Sequence, residues 1–245
     1  MELSTVDSTN NYALDKIQEN LAAHGMVIFA HEQTAGKGQR GKAWNTATSS
    51  NIILSVILNT TSLSVAQQFP FSAAMALGAF DLFSKYAGDE TKIKWPNDIY
   101  WRDRKAGGIL IETKMAGDVS QKTAGWNWAV VGIGLNINQT IFPEHLPNPV
   151  SLQQITGKSF NPITLARELC TFLGNRFAAI NSGQQKEIIK DYNTHLYKRG
   201  ETVRLKKQNA AFYCNIEAVN ERGELLVSGT AKDSFIFGEV EWIIS

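Results

Sequence analysis

A glycine-rich, cationic stretch at residues 35–44 has the residue types and spacing to bind an anion. It runs Ala-Gly-Lys-Gly-Gln-Arg-Gly-Lys-Ala-Trp and closes on Trp44. Glycine lets backbone N–H groups approach a ligand closely, and the three cations in the stretch complement phosphate charge. The stretch lacks the Gly-Lys-Ser/Thr ending of a Walker loop. On composition alone, a phosphate-binding loop and a solvated basic loop both remain open.

Two further segments place charged residues where a strand begins or ends. The run Lys94-Trp-Pro-Asn-Asp98 follows a strand pattern, and ligand sites are often built just beyond strand ends. Pro-Asn-Asp is also ordinary turn chemistry. Lys105 precedes Gly107 and Gly108 at the start of a strand, where the missing side chains let a ligand lie against the backbone. An exposed lysine in a hairpin loop is the plainer alternative.

A fourth segment, Val131 to Asn138, contains two glycines inside a strand pattern. Glycine weakens a strand, so Gly132 and Gly134 need a reason, and the close approach of a ligand is one. Packing of Ile133 and Leu135 into the core is the alternative.

A sheet flanked by helices must position these segments. Ser8, Thr9 and Asn10 can cap a helical pattern that runs to Leu21, and apolar runs at 26–30 and 51–58 predict buried strands. Long helices are predicted over 64–86, 163–179 and 184–197. The mixture predicts an α/β or α+β class.

The character of the chain changes after Gly200. Short strand patterns at 202–206, 211–219, 225–228 and 235–242 predict a small β-barrel of about five strands. We therefore expect one domain at residues 1–198 and a second at 199–245.

The overall composition excludes several classes of partner. The 24 basic and 23 acidic residues leave a net charge of +1, so nothing predicts nucleic-acid or membrane binding. Cys170 and Cys214 lie far apart without metal-ligand spacing, which is typical of buried thiols in a reducing compartment. The first residues do not form a signal peptide, and no apolar run is long enough to span a membrane. We expect a cytoplasmic protein.

The order of the motifs resembles the biotin–protein ligase family across most of the chain. Five segments occur in the same order as in that family: Ser8-Thr9-Asn10, Gln33 to Trp44, Lys94 to Asp98, Lys105 to Gly108 and Gly132 to Asn138. The resemblance implies a seven-stranded mixed sheet with flanking helices, an α+β fold similar to class II tRNA synthetases, followed by an SH3-like barrel. It implies that biotin and ATP form biotinyl-5′-AMP, and that biotin then passes to a lysine of a biotin carboxyl carrier protein.

The resemblance also implies roles for individual residues. Biotin would be bound by residues at the first helix, the loop and the third segment: Ser8, Thr9, Asn10, Gln33, Gly36, Lys37, Gly107 and Gly108. ATP and the adenylate would be bound by the loop, the second segment and the fourth: Gly38, Gln39, Arg40, Gly41, Lys42, Trp44, Lys94, Asn97 and Asn136. Lys105 and Arg40 would offset the charge of the reacting carboxylate and phosphates, and Asp98 would orient or deprotonate the attacking amine. Mg²⁺ would arrive with the nucleotide, and no metal site is predicted on the protein itself.

Two departures from the family pattern matter. The loop has Lys37, Gln39 and Lys42 where arginines are more familiar, so the bidentate fork is lost at all three positions and the charge at one. Only Met1 to Val6 precede the Asp-Ser-Thr-Asn run, so a monofunctional ligase without a DNA-binding domain is expected. The alternatives are a lipoate or octanoate ligase or transferase on the same fold, and a non-catalytic biotin- or nucleotide-sensing protein. A monomer and a homodimer are both possible.

Overall fold

The structure, a computed structural model, describes residues 1–115 and 126–244. Its helices are α1 (Thr9–Gln18), α2 (Gln68–Ala87), α3 (Leu152–Thr156), α4 (Pro162–Asn181) and α5 (Gln185–Thr194). Its first seven strands are β1 (Glu2–Val6), β2 (Met26–Gln33), β3 (Ile52–Asn59), β4 (Thr91–Lys94), β5 (Asp98–Trp101), β6 (Arg104–Met115) and β7 (Trp126–Leu135). The remaining strands are β8 (Thr202–Lys207), β9 (Ala210–Val219), β10 (Leu225–Ser228), β11 (Ser234–Phe235) and β12 (Glu241–Trp242).

The first seven strands form one mixed sheet in the order β1-β2-β3-β7-β6-β5-β4. Only β1 pairs in parallel, with β2, and the other neighbours are antiparallel. The prediction of an α+β fold with a seven-stranded mixed sheet is confirmed. Sequence reasoning did not predict β1, whose five residues are mostly exposed, or the single turn of α3.

The two faces of this sheet are covered differently. Helices α2, α4 and α5 bury one face, with Leu54, Val56 and Val131 pointing into that core. On the other face α1 covers only one end, where Ala13 packs with Ile57 and Val130. Because side chains alternate along a strand, the next positions of β7 on this second face are Gly132 and Gly134. We refer to this part of the second face, beyond α1, as the trough.

The C-terminal strands form a second, antiparallel sheet in the order β11-β10-β9-β8-β12. A single strand over 235–242 was the wrong prediction: the chain turns at Ile236–Glu239, where Gly238 has a φ of +86°. Left-handed backbone of this kind breaks the extended conformation of a strand.

The two sheets are joined by direct backbone pairing. The Ile93 amide donates to His195 O at 2.8 Å, and the Gly200 amide donates to Ile216 O at 2.7 Å, so the connecting segment pairs with both sheets. The side chain of Asn193 donates to and accepts from the backbone of Val219. Among the described residues, no helix is long and apolar enough to cross a membrane.

Candidate active site

The start of α1 and the end of β2 form a buried hydrogen-bonding cluster. Ser8, the residue before the helix, has extended backbone, and Ser8, Thr9 and Asn10 are all buried. Gln33 Oε1 accepts hydrogen bonds from the Thr9 amide at 2.8 Å and from Thr9 Oγ1 at 3.1 Å. A polar cluster inside an apolar sheet face suits a small ligand with its own N–H and C=O groups.

Asn10 is fixed from three sides. The Ser55 hydroxyl lies 2.6 Å from Asn10 Oδ1, and Asn10 Nδ2 donates to Glu112 Oε2 at 2.7 Å. A Cβ at Gly132 would lie 2.2 Å from Asn10 Oδ1, much closer than any van der Waals contact. Gly132 is thus required by the Asn10 side chain, a specific form of the close approach that the sequence indicated.

A second cluster lies further along the trough, on β5 and β6. Lys105 Nζ lies 2.7 Å from Asp98 Oδ1 and 5.7 Å from the centre of the Trp44 ring. A Cβ at Gly134 would come within 2.4 Å of the Trp44 indole, so the ring packs directly against this glycine. Asp98 and Gly108 are cross-strand partners, and Gly108 leaves space for the Asp98–Lys105 pair. The structure therefore brings together Trp44, Asp98, Lys105 and Gly108.

Lys94 is the cross-strand partner of Asp98 and is mostly buried. Its ammonium lies 5.2 Å from the Tyr100 ring centre and 5.4 Å from that of Trp242, so the second sheet helps to enclose it. Burial lowers the pKa of Lys94 to about 8, Asp98 opposes this change, and Lys105 and Lys42 add to it. A buried ammonium beside two other cations is poised to bind an anion.

The glycine-rich loop closes on itself as a short hairpin. Lys37 and Ala43 form a β-bridge, and the Trp44 amide donates to Gly36 O at 2.8 Å. Gly36 is buried, and a Cβ there would lie 2.2 Å from Trp44 O. This pairing places Trp44 over the trough while leaving the tip of the loop, with Gln39, Gly41 and Lys42, at the surface.

Two cations of the loop contact parts of the chain other than Lys105. Lys37 Nζ donates to Asn11 Oδ1 near the start of α1. Arg40 has a φ of +56°, and its guanidinium lies against Gly238 of the second sheet. Arg40, which the sequence placed with Lys105, is therefore held at the tip of the loop and contacts the C-terminal part of the chain.

Two buried asparagines support the trough. Asn136 Nδ2 donates to Val150 O at 3.1 Å and to Lys105 O at 3.4 Å, which ties the end of β7 to the backbone of Lys105. Asn97 Nδ2 donates to Ile109 O and so ties the turn before β5 to β6. These two hydrogen bonds use the amide hydrogens of the Asn136 side chain.

Several residues of the site were not predicted from the sequence. Ser55 is the one polar position between Ile52 and Leu58 of the buried strand β3, a signal that could have been used. No comparable sequence signal marks Glu112, Tyr100 or Trp242. Only the register of β6 and the docking of the second sheet bring them close to Asn10 and Lys94. In the part of the chain that the structure describes, no three His, Cys, Asp or Glu side chains group as a metal site.

The trough also contains a buried donor without a partner. The indole N–H of Trp44 is buried and makes no hydrogen bond among the described residues. Buried N–H groups are nearly always paired, so this donor, which packs against Gly134, is an exception.

Comparisons with known proteins agree with this geometry. A model of the biotin/lipoate A/B protein ligase family matches residues 3–128, just over half of the chain. The bifunctional ligase/repressor BirA of Escherichia coli is 33% identical over 170 residues, which are 68% of this chain and 50% of that protein. The biotin–[acetyl-CoA-carboxylase] ligase of Paracoccus denitrificans is 29% identical over 237 residues, 94% of each chain. The chain spans about half the length of the BirA proteins of Escherichia coli and Salmonella typhimurium.

Solved structures share the whole fold. The biotin protein ligase from Aquifex aeolicus in complex with biotin and ATP superposes with a TM-score of 0.81 at 22% identity, covering 100% of this chain and 98% of that one. The biotin protein ligase from Leishmania major in complex with biotinyl-5-AMP has a TM-score of 0.66 at 19% identity, with coverage of 96% and 97%. The sheet order, the trough and the family match lead to one conclusion: this chain belongs to the biotin/lipoate A/B protein ligase family and has the biotin protein ligase fold.

Proposed function

We propose that this protein is an ATP-dependent biotin–protein ligase, which forms biotinyl-5′-AMP and transfers biotin to a lysine of a biotin carboxyl carrier protein. The observation that carries the proposal is the arrangement of two clusters in one trough. A buried hydrogen-bonding cluster at Thr9, Asn10 and Gln33 is followed along the sheet by the charged cluster of Lys94, Asp98 and Lys105. The first suits a ureido ring, and the second suits a carboxylate and a phosphate.

The charged cluster addresses the difficulty of the first step. A biotin carboxylate oxygen must attack the α-phosphorus of ATP, forming a C–O–P link as pyrophosphate leaves, and both reactants are anions. Lys105 and Lys94 provide positive charge at fixed positions where negative charge accumulates, and such preorganised charge is usually the largest catalytic contribution. The nucleotide would arrive as its Mg²⁺ complex, and the metal would neutralise part of the phosphate charge.

Asp98 connects the two steps. Its carboxylate pairs with Lys105 at 2.7 Å in the structure, so the lysine can exchange this partner for phosphate oxygens when substrates bind. The released carboxylate then faces the second step, in which the carrier lysine nitrogen attacks the acyl carbon, AMP leaves and the nitrogen loses a proton. We assign to Asp98 the orientation or deprotonation of that amine.

The loop over the trough protects the intermediate. A mixed anhydride is hydrolysed readily, so water must be kept away until the acceptor lysine arrives. Trp44, lying over Gly134, covers the sheet side of the nucleotide position, and Asn136 presents a carbonyl oxygen to the adenine. We further propose that Arg40 closes the loop over the adenylate, with the remaining loop residues contributing backbone and charge.

Other features follow from the same proposal. Residues 1–198 would form the catalytic domain, related to class II tRNA synthetases, and residues 199–245 an SH3-like domain. The support for the second assignment is the antiparallel five-stranded sheet. The carrier would be a subunit of acetyl-CoA carboxylase or a related carboxylase, and the protein would act in the cytoplasm.

Exchange of labelled pyrophosphate into ATP tests the proposal directly. Biotin should drive the exchange and lipoate or octanoate should not. A streptavidin blot of an apo carrier domain after incubation with ATP and biotin should show transfer. Lys105→Ala should abolish both signals while the variant remains folded by circular dichroism. Exchange driven by lipoate instead of biotin would identify the other branch of the family, and full activity of Lys105→Ala would refute the assigned chemistry.

A further inference from the structure

A tight turn at residues 236–239 presents two apolar side chains to solvent. Ile236 is 60% exposed and the neighbouring Phe237 is 47% exposed. Single exposed apolar residues are common on protein surfaces, but an adjacent pair at the rim of a site indicates a contact surface. We refer to Ile236 and Phe237 as the rim pair.

The rim pair is held in place by an ion cluster. Glu239 lies 2.5 Å from Lys207 and 2.7 Å from Lys232, and its carboxylate also accepts from the Ile236 amide at 3.3 Å. These partners, Lys207 first, lower the pKa of Glu239 to about 2. The Glu239 amide closes the turn by donating to Ile236 O at 3.1 Å. A preorganised loop loses less entropy when a partner binds.

The turn adjoins the candidate active site. The Phe237 ring packs edge-on against Trp95 with the ring centres 6.1 Å apart, and Trp242, which follows the turn in β12, lies against Lys94. Gly238 lies against the Arg40 guanidinium at the tip of the glycine-rich loop. The rim pair thus lies beside the tip of the glycine-rich loop, on the side where the loop meets the second sheet.

We propose that the rim pair is a docking surface for the protein substrate, the folded domain that carries the acceptor lysine. This inference rests on the proposed function. Biotin and ATP are small enough to enter the trough, whereas a carrier domain that inserts one lysine must rest its surface on the rim. Lys207 and Lys232 are both paired with Glu239, whereas Arg40, which lies against Gly238 of the turn, has no ion pair among the described residues. The partner surface should therefore combine an apolar contact with acidic side chains.

Steady-state kinetics of Ile236→Ser and Ile236→Glu test the proposal, with Leu21→Ser as the matched control. Leu21 is 59% exposed and follows α1, on the part of the sheet remote from β4. The carrier is the apo biotin-acceptor domain of an acetyl-CoA carboxylase. Ile236→Ser should raise KM for this domain about tenfold with kcat nearly unchanged, and Ile236→Glu should raise KM further because it repels an acidic partner surface.

Two measurements on the same preparations separate this inference from the proposed function. Biotin-dependent pyrophosphate exchange, and transfer of biotin to hydroxylamine instead of a carrier, should match wild type in all three variants. An unchanged KM for the acceptor domain in both Ile236 variants would overturn the docking surface. So would a KM effect accompanied by loss of self-association in sedimentation, which would assign the rim pair to a second copy of the chain. Absence of exchange in the wild type would instead refute the proposed function.

Discussion

Replacement of Lys94 by methionine should stabilise the protein at neutral pH while impairing its chemistry. Burial lowers the pKa of Lys94 from 10.5 to about 8, which means that folding disfavours the charged form. At ~1.36 kcal/mol per pH unit, that difference corresponds to a penalty of about 3 kcal/mol when the lysine is protonated in both states. The contacts of the ammonium with Tyr100 and Trp242 favour the charged form, so about 3 kcal/mol is an upper bound.

The sign of the pH dependence follows from the same linkage. Below pH 8, Lys94 is protonated in the folded and unfolded chain, and the penalty is present in full. Between pH 8 and 10.5 the folded protein loses this proton before the unfolded chain does, so the penalty disappears as the pH rises. Lys94→Met removes the penalty at every pH. The gain in free energy of unfolding over wild type should therefore be largest at pH 7 and nearly absent at pH 10.5.

Urea unfolding followed by circular dichroism at pH 7 and pH 10 measures this difference. Lys92→Met, two residues earlier in β4, is the matched control for replacing a lysine of this strand by methionine. Biotin-dependent pyrophosphate exchange should fall at least about tenfold in Lys94→Met, since the buried cation serves the substrate anions. The reasoning would be refuted if Lys94→Met were no more stable than wild type at pH 7, or if its gain in stability were the same at both pH values. Full exchange activity would show that the buried cation is not needed.

The remaining predictions concern the trough and the loop. Asp98→Asn should retain pyrophosphate exchange but slow transfer to the carrier about 100-fold, and equal losses in both assays would remove its role in the second step. Gly132→Ala should displace Asn10, lowering the free energy of unfolding by about 1–3 kcal/mol and weakening biotin binding in calorimetry. Wild-type affinity and stability in that variant would show that Asn10 can move freely. Gln39→Arg should slow release of free biotinyl-AMP, measured by filtration, and equal release rates would exclude a role for this loop position.

Sequence reasoning predicted the elements that have strong periodicity or β-branched runs. The helix patterns at 64–86 and 163–179 and the buried run at 51–58 correspond to α2, α4 and β3, because burial on one face determines both the pattern and the element. The exposed edge strand β1 has no such pattern, and α3 is a single turn. The turn at residues 236–239 was missed because positive φ at Gly238 and the Glu239 ion cluster depend on tertiary neighbours.

The candidate site likewise contains residues that the sequence could indicate and residues that it could not. The sequence order of the motifs indicated Lys105, Asp98 and Trp44, and the structure places Lys105 beside both Asp98 and the Trp44 ring. It could not indicate that Asn10 occupies the space over Gly132, which depends on the register between β3, β7 and α1. Nor could it indicate that Trp242, more than a hundred residues from Lys94, encloses that lysine.

The segment between the two sheets has a consequence for the cooperativity of folding. Its backbone hydrogen-bonds to Ile93 on one side and Ile216 on the other, and the apolar core continues from α5 into β9 without interruption. We therefore expect the two proposed domains, which meet near residue 198, to unfold together. Separating the chain there would expose Trp95 and Phe69, which both contact Gly223, on one fragment and leave the other with a very small core. Thermal unfolding of the chain should accordingly be a single transition. The contact between Trp242 and Lys94 should be lost only in that transition, when the whole molecule unfolds.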